Sequence, residues 1–178
     1  MRILQILKKY MVPFFREYGF SNVKVDNRVV VFEHAENPEL KISFSILDEG
    51  KYQGIRPELK RGKKDRLNAY PLTLFLDEPL EIYTTYRDEY WHVDTEEELV
   101  GALEEQVNLL KKKAFDWLFQ RSDLDIDAMI TRKINEWKKT YLSADYSEKI
   151  ILASYIRVKA REWENRRVKP VNWKYCCD

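Results

Sequence analysis

"LKISFSIL", residues 40–47, alternates without a break, with Leu40, Ile42, Phe44 and Ile46 on one side and Lys41, Ser43 and Ser45 on the other. A period of two with one apolar and one polar side marks a half-buried antiparallel strand. Upstream, "VKVDNRVVVFEH" (23–34) reads as a strand entry and a strand, with a turn or bulge at Asp26-Asn27. "AENPE" (35–39) supplies a turn between the two. The spacing predicts a hairpin over about 29–47 whose loop is too long for the tightest turn types.

Upstream again the period changes. Ile3, Leu4, Ile6, Leu7, Tyr10, Met11, Phe14, Phe15 and Tyr18 recur at helical spacing, with Arg2, Lys8, Lys9, Arg16 and Glu17 between them. This predicts an amphipathic core-packing helix ending at Gly19, with Pro13 kinking or dividing it.

Downstream, 48–71 holds Gly50, Gly54, Pro57, Gly62 and Pro71 and the basic run "RPELKRGKKDR" (56–66). It reads as a mobile polar surface loop, with or without a short helix. "LTLFL" (72–76) and "LEIYTTY" (80–86) flank "DEP", predicting a second hairpin or one strand broken at Pro79. "YWHV" (90–93) predicts a further short strand. Thr95 followed by Glu98 is a capping-box pattern, and Glu96 to Glu98 suit the positive end of a helix dipole. A long helix should run from there to Leu118, with Lys111, Lys112 and Lys113 near its C-terminal end.

Two more helical patterns follow. One spans 123–142, with Ile126, Met129, Ile130, Ile134, Trp137 and Leu142 roughly on one side; the other spans 146–167 and stops before Pro170. The expected fold is therefore a single α+β domain over 1–178. A mostly antiparallel sheet of about four to five strands packs on the N-terminal helix and the long helix, forming an α/β core over 1–119. A C-terminal helical pair and tail occupy 120–178.

Bulk composition bounds the function. The chain has 178 residues, 44% of them hydrophobic and 34% charged, enough to bury a core. The net charge of +1 excludes the basic excess typical of a dedicated nucleic-acid binder. "MRILQILKKYMVPFF" carries Lys8 and Lys9 inside its apolar run and does not read as a secretory leader. No stretch approaches the ~18 apolar residues of a membrane span. The two cysteines, Cys176 and Cys177, are adjacent and make no disulfide framework, which fits a reducing cytoplasm.

Catalytic patterns are weak. His34, His92, Cys176 and Cys177 fall in no metal-ligand spacing, so neither a metal nor another cofactor is expected. Asp88 and Glu89 are neighbours on a strand end and point to opposite faces, the wrong geometry for a paired acid and base. The basic run offers Lys60, Arg61, Lys63, Lys64 and Arg66 to phosphates, but no aromatic platform is interleaved, so nucleic acid is not the expected partner.

The acidic-aromatic ribbon carries more. Between Asp77 and Glu98 nine carboxylates face one basic residue, Arg87. Tyrosine and tryptophan beside carboxylates match the anchors and steering charges of a protein interface. Tyr86, Asp88, Glu89, Tyr90, Trp91 and Asp94 are the expected contacts with a basic protein partner.

Three quoted segments carry a resemblance: "LKKYMVPFFREYGF" (7–20) before the strand "NRVVVFEH"; "LKISFSIL"; and "YWHVDTEEEL" opening a helix that ends "KKKAFDWL". Over roughly residues 4–119 the chain resembles a bacterial domain-of-unknown-function family, the one numbered forty-three-oh-four. "YSEKIILASYIRVKAREWE" is similar to the helix that closes many such chains. The family brings no catalytic residues to carry over, and the basic 56–66 segment departs from its pattern. The resemblance implies a non-catalytic bacterial protein of the kind that acts as an immunity protein for a toxin. An enzyme of unrecognised class and a nucleic-acid binder using 56–66 are the alternatives.

Overall fold

The computed structural model describes residues 2–49, 52–62, 68–76, 90–121 and 125–146, together with 149 and 153. The architecture is α+β: an antiparallel sheet carries its core on one face, under helices. Helix α1 spans Ile3–Glu17 and buries Ile3, Leu7, Met11 and Phe15, the i, i+4 stripe of its sequence. Pro13 does not divide it. The proline lies within an unbroken helix and is exposed.

The end of α1 is fixed by hydrogen bonds. Phe20 N–H donates to Phe15 C=O at 2.9 Å and Gly19 N–H to Arg16 C=O at 3.1 Å, the two bonds of a Schellman motif. Phe20 and Phe15 pack edge to face beneath it, with centroids 5.9 Å apart. Gly19 has φ +85°, and a Cβ there would sit 2.5 Å from His34 Nε2. Glycine is thus required both by the left-handed backbone and by the histidine above it.

Strands β1 (Asn22–Asp26), β2 (Val29–Glu33), β3 (Leu40–Glu49), β4 (Tyr52–Arg61) and β5 (Asn68–Pro71) lie side by side in that order. Strand β6 (Trp91–His92) pairs with β4 at Gly54 and Ile55, beyond the end of β5. The expected strand at 40–47 and its hairpin with β2 are present, with Val30 opposite Phe44 and Phe32 opposite Ile42. Asn27, at φ 50°, turns the chain between β1 and β2.

Strand β4 corrects the sequence reading, which made 48–71 a surface loop. It is ten residues long and pairs with β3 along its whole length, from Leu40↔Arg61 to Glu49↔Tyr52. Ile55, Pro57 and Leu59 are buried and alternate with half-buried Arg56, Glu58 and Lys60. Glycine, proline and charge hid this period. Pro57 is tolerated because it falls between the β6 contact at 54–55 and the β5 contact at 58–61, where no described strand asks for its N–H.

"LTLFL" is also corrected. Leu72–Phe75 is a 3₁₀ turn with all four residues buried, not a strand. An apolar run without a period fits either state, and here packing decided. The expected strand at 80–86 lies outside the described residues, as do Lys63, Lys64 and Arg66.

Helix α2 (Glu96–Leu109) runs through a π-helical stretch, Leu110–Ala114, into the single turn α3 (Phe115–Leu118). The expected helix to Leu118 is thus present, with an extra residue absorbed at the three lysines. Helix α4 (Ile126–Ser143) starts at Asp125, whose Oδ1 accepts the Ala128 N–H at 3.0 Å. Ile130 and Ile134 are buried, but Leu142 is 65% exposed and leaves the expected apolar side. The helix expected over 146–167 and the tail with Cys176 and Cys177 lie outside the described residues, apart from isolated positions.

The core lies between α1, α2, α3 and one sheet face. Phe15 is its hub, its ring 4.6 Å from Phe32, 5.9 Å from Phe20 and 6.0 Å from Phe44. The other sheet face is polar and internally paired. Glu33 Oε2 accepts Lys24 Nζ at 2.6 Å and its Oε1 accepts Lys41 Nζ at 2.8 Å. The hydrogen bonds from Lys24 and then Lys41 hold the Glu33 carboxyl below its ordinary value of 4.5, against the opposing effect of burial. A lowered folded-state pKa stabilises above the unfolded value and is lost as pH falls through the folded one. The stability difference between the native chain and Glu33→Gln, about 1 kcal/mol at pH 7, is therefore expected to vanish on acidification from pH 4.5 downward. Urea titrations at several pH values measure it; a difference independent of pH would exclude the triad as its source.

Candidate protein-binding site

The ribbon's described part, 90–99, is a strand end joined to a helix start. Trp91 and Val93 point inward and are 0% and 2% exposed. Trp91 Nε1 donates to Glu105 Oε2 at 3.0 Å, tying β6 to α2. Val93 N–H donates to Gln53 C=O at 3.0 Å, extending the pairing with β4. Gly54 permits this approach, since a Cβ there would lie 2.8 Å from the Trp91 carbonyl oxygen.

Trp91 is therefore a core residue, not a partner contact, which corrects the expectation. The period of two placed it on one face, but sequence alone could not say which face was inside. The opposite phase carries Tyr90 and His92, both half-buried. The Arg56 guanidinium sits 5.2 Å from the Tyr90 ring centroid, and the Tyr90 and His92 rings are 6.3 Å apart. His92 was missed as a surface group, although its parity with Tyr90 was visible.

The helix start holds the charge. Thr95 Oγ1 accepts the Glu98 N–H at 3.1 Å, and Glu98 Oε2 accepts Asp94 N–H at 2.6 Å and Thr95 N–H at 3.3 Å. The capping box occupies Glu98. Asp94, Glu96 and Glu97 are exposed around it. Of the expected contacts, Tyr90 and Asp94 share this corner, while Tyr86, Asp88 and Glu89 lie outside the described residues.

The other candidates are used structurally where they are described. His34 Nδ1 accepts the Glu36 and Asn37 N–H groups at 3.3 and 3.1 Å, and its ring packs edge-on to Phe20. Lys60 pairs with Glu58 at 3.0 Å. Arg61 donates to Trp117 C=O at 2.6 Å and stacks 4.5 Å from the Trp117 ring centroid. Burial lowers the Arg61 pKa, but the guanidinium stays charged at neutral pH. So two of the five cations named for phosphate contact pair within the fold. Among the described residues no group of three or more His, Cys, Asp or Glu side chains is placed to hold a metal ion. Nor is any described helix long and apolar enough to cross a membrane.

Compared with protein-family models, curated proteins and solved structures, the chain matches none.

Proposed function

We propose that this is a non-catalytic bacterial protein that binds another protein, acting as an immunity protein that neutralises a toxin by covering its active face. One observation supports the reading most: the β6–α2 corner sets exposed Asp94, Glu96 and Glu97 beside the half-buried rings of Tyr90 and His92. The corner is tied to the fold: Trp91 is buried and bonded to Glu105, and the capping box holds Asp94 and Thr95. Fixed aromatics give contact area at little entropic cost, and the carboxylates speed encounter with a basic surface. A nuclease fits that partner chemistry, since a face that binds a polyanion is basic. Tyr86, Asp88 and Glu89 remain contacts expected from the sequence and lie outside the described residues.

Co-expression with the product of the adjacent upstream gene tests the reading. Rescue of growth and a stable complex are expected; toxicity without rescue would reject it. Reversing two charges, Asp94→Lys with Glu97→Lys, is expected to weaken the complex by roughly 1–3 kcal/mol, mostly through a slower on-rate. The same change removes a helix-dipole contribution of only about 0.3–1 kcal/mol per residue, so the fold survives. Stopped-flow association at two salt concentrations measures it, and an unchanged on-rate would exclude the corner.

A further inference from the structure

Strand β1 ends the described sheet, and its backbone directions can be worked out. His34 N–H donates to Leu40 C=O at 3.1 Å, and Arg28 C=O accepts Ile46 N–H at 2.7 Å. These residues flank β2, so its even-numbered positions bond to β3. Alternation in an antiparallel ladder turns Val29, Val31 and Glu33 toward β1. Their partners Asp26, Lys24 and Asn22 face back toward β2. The N–H and C=O groups of Val23 and Val25 are then directed at the free edge.

Among the described residues that edge lacks several of the usual guards. Natural edge strands carry a proline, a bulge or an uncompensated lysine. Strand β1 has no proline and pairs with β2 in unbroken register. Its one lysine, Lys24, is paired with Glu33 at 2.6 Å, a carboxylate it shares with Lys41. Four of its five residues are exposed. Val25 shares a sheet face with its partner Val30, which is 0% exposed, yet is itself 42% exposed. The Asp26 carboxylate meets no cation among the described residues.

We propose that β1 pairs with β1 of a second copy, antiparallel about a twofold axis through Val25. Three features select this register. The two Val25 residues face each other and exchange both backbone hydrogen bonds, as their outward direction requires. Their side chains meet and cover each other. Lys24 lies opposite Asp26 of the second copy, and the same pair recurs across the axis, as in any isologous contact. An axis through Lys24 instead sets lysine against lysine, which is unfavourable. The strand is thus complementary to itself, and the sheet continues from one copy into the next.

An edge-only contact is smaller than standard interfaces, so the dimer is concentration-dependent, with Kd on the order of 10–100 µM. Sedimentation velocity on the full chain from about 5 µM to about 500 µM brackets that value. The weight-average mass is expected to climb from 21.5 kDa toward twice that figure. Asp26→Lys sets a lysine against Lys24 at both symmetry-related positions and is expected to weaken the dimer at least ~10-fold. Val25→Pro removes an N–H that no bond among the described residues uses and is expected to abolish it. Circular dichroism confirms that each variant folds, and Asp26→Lys alone suffices if the proline does not. A monomeric native chain throughout the range would overturn the proposal and leave the edge to a strand of another protein. Undiminished dimerisation of the folded Asp26→Lys chain would overturn it as well.

Discussion

Replacing Trp91 by alanine is expected to cost about 3–5 kcal/mol of folding stability, a large part of what a domain of this size has. Trp91 is 0% exposed and among the largest fully buried side chains. Truncation removes its whole apolar surface and leaves a cavity beneath β6. It also deletes the 3.0 Å bond from Nε1 to Glu105, which joins the strand to α2. Trp91→Phe keeps most of the volume but not the donor, and is expected to cost about 1–2 kcal/mol. Urea unfolding of the three chains measures both. A folded Trp91→Ala chain of native stability that merely bound its partner less well would return Trp91 to the surface.

Gly54→Val is expected to cost about 2–3 kcal/mol and to act locally. The added Cβ would stand 2.8 Å from the Trp91 carbonyl oxygen, and that neighbour is backbone rather than a flexible side-chain tip. Strand β6 must then move away from β4. The first bond affected is Val93 N–H to Gln53 C=O. Hydrogen exchange should show Val93 losing protection while Phe44 on β3 and Phe32 on β2, two and three strands from β6, keep theirs. Equal protection at Val93 in both chains would mean that β6 tolerates the side chain. Because β6 carries Tyr90 and His92, the variant also tests whether partner binding needs the corner in place.

The parts of this protein legible in advance were those where local chemistry and tertiary need agree. Gly19 and Phe20 end α1 because the left-handed residue and the apolar residue after it form a Schellman motif under almost any packing. Thr95 and Glu98 cap α2 because both partners lie within one turn. Strand β3 needed only its own alternation. By contrast, β4 was hidden. Its inward set of Ile55, Pro57 and Leu59 is short, contains a proline, and is interleaved with charges that read as a loop. Only pairing with β3 along ten residues outweighs those preferences.

The candidate site divides in the same way. Its charge was plain in the run of carboxylates, and so was its alternation. The phase of that alternation was not, and the phase decides that Trp91 anchors the corner while Tyr90 and His92 face outward. The sequence by itself determined the α+β class, the helix ends and the acidic character of the ribbon, because each depends on residues a few positions apart. Only the tertiary structure decided that 52–61 is a strand, that 72–75 is a 3₁₀ turn, and which ring of the ribbon is buried. Those outcomes depend on partners distant in sequence, whose pairing and burial outweigh local preference.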